Sequence, residues 1–246
     1  MSTISNPTTR RILRHEDSWL PLDRLGLEAR PYLPTYDETG FPVDEFHREL
    51  ASCPMNGIVI DLGIEGWLQQ ADALKLYELG YHAPGDILEF GTYRGLSSYL
   101  LSKAIAASGR RARIVTMELD PESSRIAEEN LAARSMSSYV DFRVGRAEET
   151  CRTLIAEGRK FSFAFVDHSH AYSPMVTACE RLPELLAPGS FCLFHDFNDP
   201  RNSSRTDLGE SEAEYGVYAA VADALDPRRF DFHGVFGCCG LYRMTS

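Results

Sequence analysis

The sequence lacks long apolar runs, and this absence argues against a membrane protein. None of its 246 residues lies in an apolar stretch of the roughly 18 residues that a membrane-spanning helix needs. Residues 1–14 are polar and lack the apolar core of a secretory signal peptide. We therefore expect a cytoplasmic protein that does not bind membranes.

Positive charge is also scarce. The chain has 25 Lys and Arg residues against 36 Asp and Glu residues, and its formal net charge is −11. Nucleic-acid affinity is built largely from Lys and Arg contacts to phosphates, so this balance argues against a nucleic-acid partner. We expect the partner to be a small molecule.

Three motifs that would indicate other chemistries are missing. The six cysteines form no C-x-x-C pair and no zinc-ligand spacing, which favours buried free thiols over a redox or metal role. The absence of G-x-G-x-x-G argues against a nucleotide-dependent oxidoreductase. The absence of G-x-S-x-G gives a hydrolase no support.

What the chain does contain is a regular alternation of helical and strand-like segments from about Ile64 onward. The pattern predicts helices over 64–79, 95–108, 121–134, 147–156, 173–186 and 215–225. It predicts strands over 86–90, 114–119, 139–144, 161–166, 191–194, 230–236 and 240–244. Such alternation indicates crossover units and a parallel sheet, and the short Gly-Cys-Cys-Gly link makes the last two strands antiparallel.

The N-terminal region differs in character from the rest. Residues 1–56 are rich in proline and aromatic residues and have little periodicity, so we predict a partly irregular arm. This arm could cover the active site, form a dimer contact, or do both. Residues 57–246 are predicted to form the α/β domain, and the polar segment 197–214 is predicted to be a loop beside the site.

Unusual residues follow the predicted strands, at the sheet edge where α/β proteins bind ligands. The first strand leads into E-F-G-T-Y-R-G, from Glu89 to Gly95, and its glycines allow a sharp turn into a helix N-terminus. Glu118 follows the second strand and can accept hydrogen bonds from two ribose hydroxyls. Residues 145–148 follow the third strand, where they could meet an adenine edge.

These motifs resemble those of the catechol O-methyltransferase type of class I S-adenosylmethionine (SAM)-dependent methyltransferase. The matching stretches are E-F-G-T-Y-R-G-L-S-S, T-M-E-L-D-P, G-R-A-E and F-V-D-H, within about residues 64–197. V-D-H-S-H-A-Y, L-L-A-P-G-S-F and H-D resemble the broader family of bacterial small-molecule methyltransferases. The resemblance implies an α/β, Rossmann-like fold: a mostly parallel seven-stranded sheet with a terminal antiparallel hairpin and helices on both faces.

The resemblance also implies where SAM would bind. The aminoacyl end of SAM would be held at the end of the first strand, the ribose at the end of the second strand and the adenine at the end of the third strand. An aspartate at the end of the fourth strand would lie beside the cofactor. The residues implied for these roles are, in chain order, Glu89, Gly91, Tyr93, Gly95, Ser97, Glu118, Ala147, Glu148 and Asp167.

Histidines and aspartates follow the fourth and fifth strands. An imidazole suits proton removal near neutral pH. By the resemblance, His170 occupies the position of the catalytic lysine of the catechol enzymes, three residues after Asp167, so we predict it as general base. His195 is the next candidate, His168 is the third, and Asp167 would assist.

A metal ion is implied by the same resemblance. Asp167 and Asp196 match two ligands of the catechol type, and carboxylates suit Mg²⁺. The family has an Asn directly after the second aspartate, whereas this chain has Phe197 there and Asn198 one residue later. Either Asn198 or His195 completes the site, or the metal has been lost.

We therefore predict a SAM-dependent methyltransferase that acts on a small-molecule acceptor, with a hydroxyl of specialised (natural-product) metabolism favoured. A homodimer formed through the arm is expected. Methylation of a nitrogen on a small molecule and a non-catalytic SAM-binding role remain alternatives. A nucleic-acid N-methyltransferase is disfavoured, because V-D-H-S-H stands where those enzymes resemble one another in an Asn/Asp-Pro-Pro-aromatic motif.

Overall fold

The computed structural model describes residues 42–199, 201–202 and 215–245. Its first helix is α1 (Glu45–Leu50). Asp44 caps this helix, because its carboxylate accepts the backbone N–H of His47 at 2.8 Å. A small hairpin follows, made of β1 (Met55–Asn56) and β2 (Val59–Ile60). Most of the predicted arm thus lies outside the described residues, and its boundary with the α/β domain stays a prediction.

A seven-stranded sheet forms the centre of the structure. Its strands are β3 (Ile87–Phe90), β4 (Ile114–Glu118), β5 (Val140–Val144), β6 (Phe161–Val166), β7 (Leu186–Phe194), β8 (Phe230–Phe236) and β9 (Cys239–Met244). They lie in the order β5-β4-β3-β6-β7-β9-β8. The first five in this order are parallel, and β9 pairs antiparallel with β7 and β8. The predicted parallel sheet with its antiparallel hairpin is confirmed.

Helices cover both faces of the sheet, as predicted. They are α2 (Gln70–His82), α3 (Leu96–Ser108), α4 (Pro121–Ala133), α5 (Ala147–Ala156), α6 (Tyr172–Leu185) and α7 (Val217–Ala224). Successive side chains of a strand point to opposite faces. Accordingly, Leu88 and Phe90 join the apolar cluster under α5, α6 and α7, whereas Ile87 joins the cluster under α2 and α3.

The prediction for α2 was wrong at both ends. The helix begins at Gln70, not at residue 64, because the Asp72 carboxylate accepts the backbone N–H of Gln69 at 3.0 Å and caps the first turn. Trp67, which falls within the predicted helix, precedes the observed one and is 65% exposed. Gly80 does not end the helix. A Cβ there would lie 2.9 Å from Leu101 Cδ2, so this glycine lets α2 and α3 pack closely.

Two further boundaries differ from the prediction. Strand β7 begins at Leu186, five residues before the predicted start. Its Pro-Gly dipeptide does not form a turn between two elements, because it lies within a stretch where β7 pairs irregularly with β6. The last helix begins at Val217, two residues late. Most of the predicted polar loop 197–214 lies outside the described residues. Within the described ranges, no helix combines the length and apolarity that crossing a membrane requires.

Candidate active site

Two adjoining cavities open at the carboxyl ends of the parallel strands. One has a volume of about 610 Å³ and reaches from the β1–β2 hairpin to β7, and the other has about 340 Å³ and lies beside α5 and α6. They share four lining residues: Gly91, Glu118, His168 and Ser169. An elongated ligand could therefore span both, at the edge where α/β sheets bind ligands.

The loop between β3 and α3 forms the floor common to both cavities. Gly91 has a φ of +88°, and a Cβ there would lie 2.3 Å from the carbonyl oxygen of Asp167. No side chain fits at this point, because the two strand ends are in direct backbone contact. Gly95, with a φ of +90°, begins α3, and Ser97 in the first turn lines the larger cavity. The helix N-terminus is thus directed at a ligand site.

Glu118 lies where the two cavities meet. Its Oε2 accepts the backbone N–H of Tyr93 at 2.8 Å, and its Oε1 accepts that of Asp120 at 3.0 Å. Tyr93 donates its hydroxyl to Glu65 at 2.7 Å and packs its ring against Trp67, with 5.2 Å between ring centroids. The loop thereby positions Glu118 for a ligand and forms one wall of the larger cavity.

Glu89 lies behind this floor. It is fully buried in β3 and lines neither cavity. One of its oxygens accepts the Ser98 hydroxyl, and the other has no hydrogen-bond partner in the described part of the chain. Burial raises the pKa of this carboxyl to about 7. Its contact with a cofactor stays a prediction, whereas Ala147 and Glu148 do line the smaller cavity.

The predicted catalytic residues converge in the larger cavity. His170 Nε2 lies 3.0 Å from Asp196 Oδ2. His195 Nδ1 lies 3.1 Å from Asp167 Oδ1 and 3.2 Å from Asp196 Oδ2. Two imidazoles and two carboxylates from the ends of β6 and β7 therefore form one connected group.

The three histidines have different electrostatic surroundings. Burial lowers the pKa of His168 to about 4. Burial also acts to lower the pKa of His195, but the nearby charge of Asp167 outweighs it and holds that pKa well above its usual value. The pKa of Asp196 is raised by burial but brought below its usual range by hydrogen bonds from His170 and His195.

His170 has an aromatic neighbour that the sequence did not indicate. Its ring stacks on Tyr215, with 4.1 Å between centroids and 12° between planes. The guanidinium of Arg201 lies 4.0 Å from the same Tyr215 ring and pairs with Asp199 at 2.7 Å. The sequence placed Tyr215 in a helix and Arg201 in a polar loop, so nothing in the pattern linked either residue to the site.

The structure gathers part of the predicted metal set. Oxygens of Asp167 and Asp196 lie with a nitrogen of His170 within 4.8 Å of one another. Asn198 is absent from the linings of both cavities, and its N–H donates to the Cys238 carbonyl at 2.9 Å. Phe197, at the position of the family's asparagine, is fully buried against Tyr218 and Tyr242.

Comparison with known proteins assigns the central part of the chain. Residues 88–197, which run from β3 to the end of β7, match the family model of a methyltransferase domain. This stretch is similar to a methyltransferase domain. It contains the floor loop, Glu118 and both His/Asp clusters.

Curated relatives match over a similar region. The catechol O-methyltransferase of Niastella koreensis is 32% identical over 83 residues, which is 33% of this chain and 36% of the relative. That of Mycobacterium tuberculosis is 33% identical over 81 residues, or 33% of this chain and 34% of the relative. The chain thus spans about a third of the length of these relatives. The resemblance to catechol O-methyltransferases is confirmed over that part.

Solved structures resemble the chain over nearly its whole length. The O-methyltransferase TomG from Streptomyces achromogenes, in complex with SAM, has a TM-score of 0.57 at 19% identity and covers 95% of this chain and 100% of its own. An O-methyltransferase from Bacillus cereus in complex with SAH has a TM-score of 0.56 at 17% identity with the same coverages. At these identities the likeness establishes the fold, which is the Rossmann-like fold of SAM-dependent methyltransferases.

Proposed function

We propose that this protein transfers a methyl group from SAM to a hydroxyl of a small-molecule acceptor. The observation that carries this proposal is the pair of cavities joined at Gly91 and Glu118, with a group of histidines and aspartates in the larger one. Adenosine would occupy the smaller cavity. The methionine half and the acceptor would occupy the larger one.

The residues around the two cavities fit SAM. Gly91 leaves room for close backbone approach, and the first turn of α3 suits the methionine carboxylate. Glu118 suits the ribose hydroxyls, and Ala147 and Glu148 border the space for adenine. When bound, SAM supplies the electrophilic methyl group, and the protein contributes alignment and removal of the acceptor proton.

We assign proton removal to His170. Its Nε2 faces Asp196 Oδ2 at 3.0 Å, so the carboxylate would orient the ring and stabilise the imidazolium that forms when His170 takes the proton. His195 is buried and turns its Nδ1 toward Asp167 and Asp196, at 3.1 and 3.2 Å, which leaves that atom poorly placed to reach an acceptor. His168 is too weak a base, with a pKa of about 4. Tyr215, stacked on His170, would fix the ring plane.

A divalent ion is a separate part of the proposal. Asp167 and Asp196 offer two carboxylates. Proteins commonly bind Mg²⁺ through one or two carboxylates, and waters supply other ligands. Such an ion would orient the acceptor hydroxyl and increase its acidity. Because Asn198 lines neither cavity, the site would lack the third ligand of the catechol type.

The class of acceptor is inferred from the cavity wall and from relatives. Trp67, Ile58 and Val59 contribute apolar surface to the lining of the larger cavity. Structural neighbours include TomG, named for tomaymycin synthesis, and CalS11, named as a calicheamicin methyltransferase. These support a partly apolar acceptor of specialised metabolism. A cytoplasmic homodimer also stays part of the proposal.

The first experiment combines binding with turnover. The purified protein is titrated with SAM and SAH by calorimetry and then incubated with SAM and a panel of phenols, vicinal diols and amines, with Mg²⁺ or with EDTA. Methyl ethers among the products would support the proposal, and their loss in EDTA would support the metal. Methylated amines alone would favour the N-directed alternative. Absence of binding would overturn the assignment.

A further inference from the structure

A second group of side chains that could bind a metal ion adjoins the acceptor cavity, and two of its members, His195 and Cys238, also line that cavity. The group consists of Asp72 from α2, His195 after β7, Cys238 in the β8–β9 turn and Cys239 at the start of β9. All four residues are buried, and their donor atoms lie within 4.8 Å of one another. We refer to these four residues as the buried ligand cluster.

The spacing of the cluster matches a tetrahedral ion. Zinc bonds of about 2.3 Å to sulfur and 2.0–2.1 Å to nitrogen or oxygen imply separations of about 3.3–3.8 Å between ligand atoms. Cys238 Sγ lies 3.4 Å from His195 Nε2 and 3.4 Å from Asp72 Oδ2. His195 Nε2 lies 3.7 Å from Asp72 Oδ2. All three distances fall within the range expected for ligands of one tetrahedral ion.

The orientation of His195 points the same way. A histidine that binds a metal through one ring nitrogen almost always directs the other at a carboxylate or carbonyl. Here Nε2 faces the buried ligand cluster, and Nδ1 lies 3.1 Å from Asp167 Oδ1. An ion held by Nε2 would complete a carboxylate–histidine–metal arrangement, with Asp167 as the outer partner.

Asp72 is likewise fixed by its surroundings. Its Oδ1 accepts the backbone N–H of Cys238 at 2.9 Å, and its Oδ2 accepts that of Gln69 at 3.0 Å. Gly237 makes room for it, since a Cβ there would lie 2.0 Å from Asp72 Oδ1. A fully buried carboxylate is usually paired with a cation or bound to a metal. His195 Nε2 lies 3.7 Å from Asp72 Oδ2, which is longer than a hydrogen bond.

We propose that Asp72, His195, Cys238 and Cys239 bind one zinc-type ion. Two sulfurs with an imidazole and a carboxylate favour a borderline-soft divalent metal over Mg²⁺, and four protein ligands make the site a closed, structural one. The ion would tie α2 to the β8–β9 turn and fix the ring of His195. This site is distinct from the carboxylates of the acceptor cavity and does not depend on methyl transfer.

The proposal revises the expectation that the vicinal cysteines are free thiols without a metal role. Zinc motifs are recognised by ligands closely spaced along the chain. In this cluster Asp72 and Cys238 lie 166 positions apart and are joined by the fold alone. Spacing in the sequence therefore gave no signal.

Cobalt substitution of the full-length chain tests the site directly. Co²⁺ is added to the metal-depleted protein, and the near-ultraviolet band of thiolate-to-cobalt charge transfer is recorded together with the visible bands of tetrahedral cobalt. Metal content of the untreated protein is measured by elemental analysis. We expect about one zinc-type ion per chain and both sets of bands.

Variants assign the bands to the cluster. Cys238→Ser and Cys239→Ser should each weaken metal binding at least tenfold and reduce the charge-transfer band, whereas Cys179→Ser, a buried cysteine on α6, should leave both unchanged. Asp167→Asn should weaken binding on the order of 10- to 100-fold but keep the band. A wild-type spectrum without charge transfer, which needs no variant to fold, would overturn the proposal. So would a band that persists in both serine variants.

Discussion

At the scale of single residues, Glu118 is the clearest test of the cofactor site, because both cavities border it. Glu118→Gln removes the charge that would hold the ribose. Hydrogen bonds to a charged group contribute about 1.5–3 kcal/mol, so the Kd for SAH measured by calorimetry should rise on the order of 10- to 100-fold. Glu128→Gln, on the exposed side of α4, is the matched control. Equal affinities in the two variants would remove Glu118 from the site.

His170 is the residue on which the proposed chemistry depends. His170→Gln should lower kcat by about 10²–10⁴-fold, the usual contribution of a general base, and leave the Kd for SAH unchanged. The remaining activity should grow with pH as the acceptor hydroxyl loses its own proton. His233→Gln, on β8 outside both cavity linings, serves as control. A variant with unchanged kcat would show that another group takes the proton.

Glu89 gives a pH prediction whose sign follows from its pKa. Burial raises this pKa to about 7 in the folded protein, from an ordinary value of 4.5, so the folded state binds the proton more tightly than the unfolded state. The free energy of unfolding should therefore fall as pH rises from about 4.5 to 7.

The measurement is chemical denaturation across that pH range. Glu89→Gln should flatten the decline and be more stable than wild type at pH 7 by an amount on the order of 1–3 kcal/mol. Glu157→Gln, an exposed acid after α5, should follow the wild-type curve. A wild-type curve that rises over this interval would contradict the account.

At the scale of elements, most helices and strands were predicted well from the sequence. In these elements the spacing of apolar residues along the chain matches the side chains that the fold buries. Helix α5 and strand β6 have the bounds that the pattern gives, and α4 begins at Pro121, where the pattern places its start. The errors have local causes that the spacing of apolar residues does not reveal. The start of α2 is set by the hydrogen bond from the Gln69 backbone N–H to the Asp72 carboxylate. The Pro-Gly dipeptide that ends at Gly189 suggests a turn, but it lies inside β7, where the pairing with β6 is irregular.

Gly80 shows how a packing contact reverses a propensity. Replacing an exposed helical glycine by alanine usually stabilises a helix by about 1 kcal/mol. Here the added Cβ would meet Leu101 Cδ2 at 2.9 Å and Ala104 Cβ at 3.2 Å. Gly80→Ala should thus lower the free energy of unfolding by about 1–2 kcal/mol in denaturant titrations.

The control for Gly80 is another glycine with more space. At Gly85 the nearest atom to an added Cβ is Ser162 Oγ at 3.6 Å, an ordinary contact. Gly85→Ala should change stability little. If the two variants are equally stable, α2 and α3 can separate at small cost.

At the scale of the whole molecule, the sequence was enough to predict a site at the strand ends. It was not enough to predict which residues from other parts of the chain join that site. Parallel strands bring their carboxyl ends to one edge, so Glu118, Asp167 and Asp196 could be grouped from the sequence. Asp72 and Tyr215 reach the same place from a helix and from the segment before α7. Only the three-dimensional path of the chain joins them to His195 and His170.

The charge of the molecule predicts its behaviour toward nucleic acids. With a formal net charge of −11, the protein should show no saturable binding to labelled DNA or RNA in fluorescence anisotropy at about 50 mM salt, where phosphate contacts are strong. The same samples should bind SAH. Salt-dependent binding at micromolar protein would reopen the nucleic-acid alternative.

The contact between Gly237 and Asp72 has a consequence for the history of this sequence. A side chain at position 237 would occupy the space of the Asp72 carboxylate, so position 237 cannot change while Asp72 is kept. Among homologues, the two positions should vary together, with a larger residue at 237 appearing only beside a smaller one at 72. Residues far apart along the gene would then evolve as a pair.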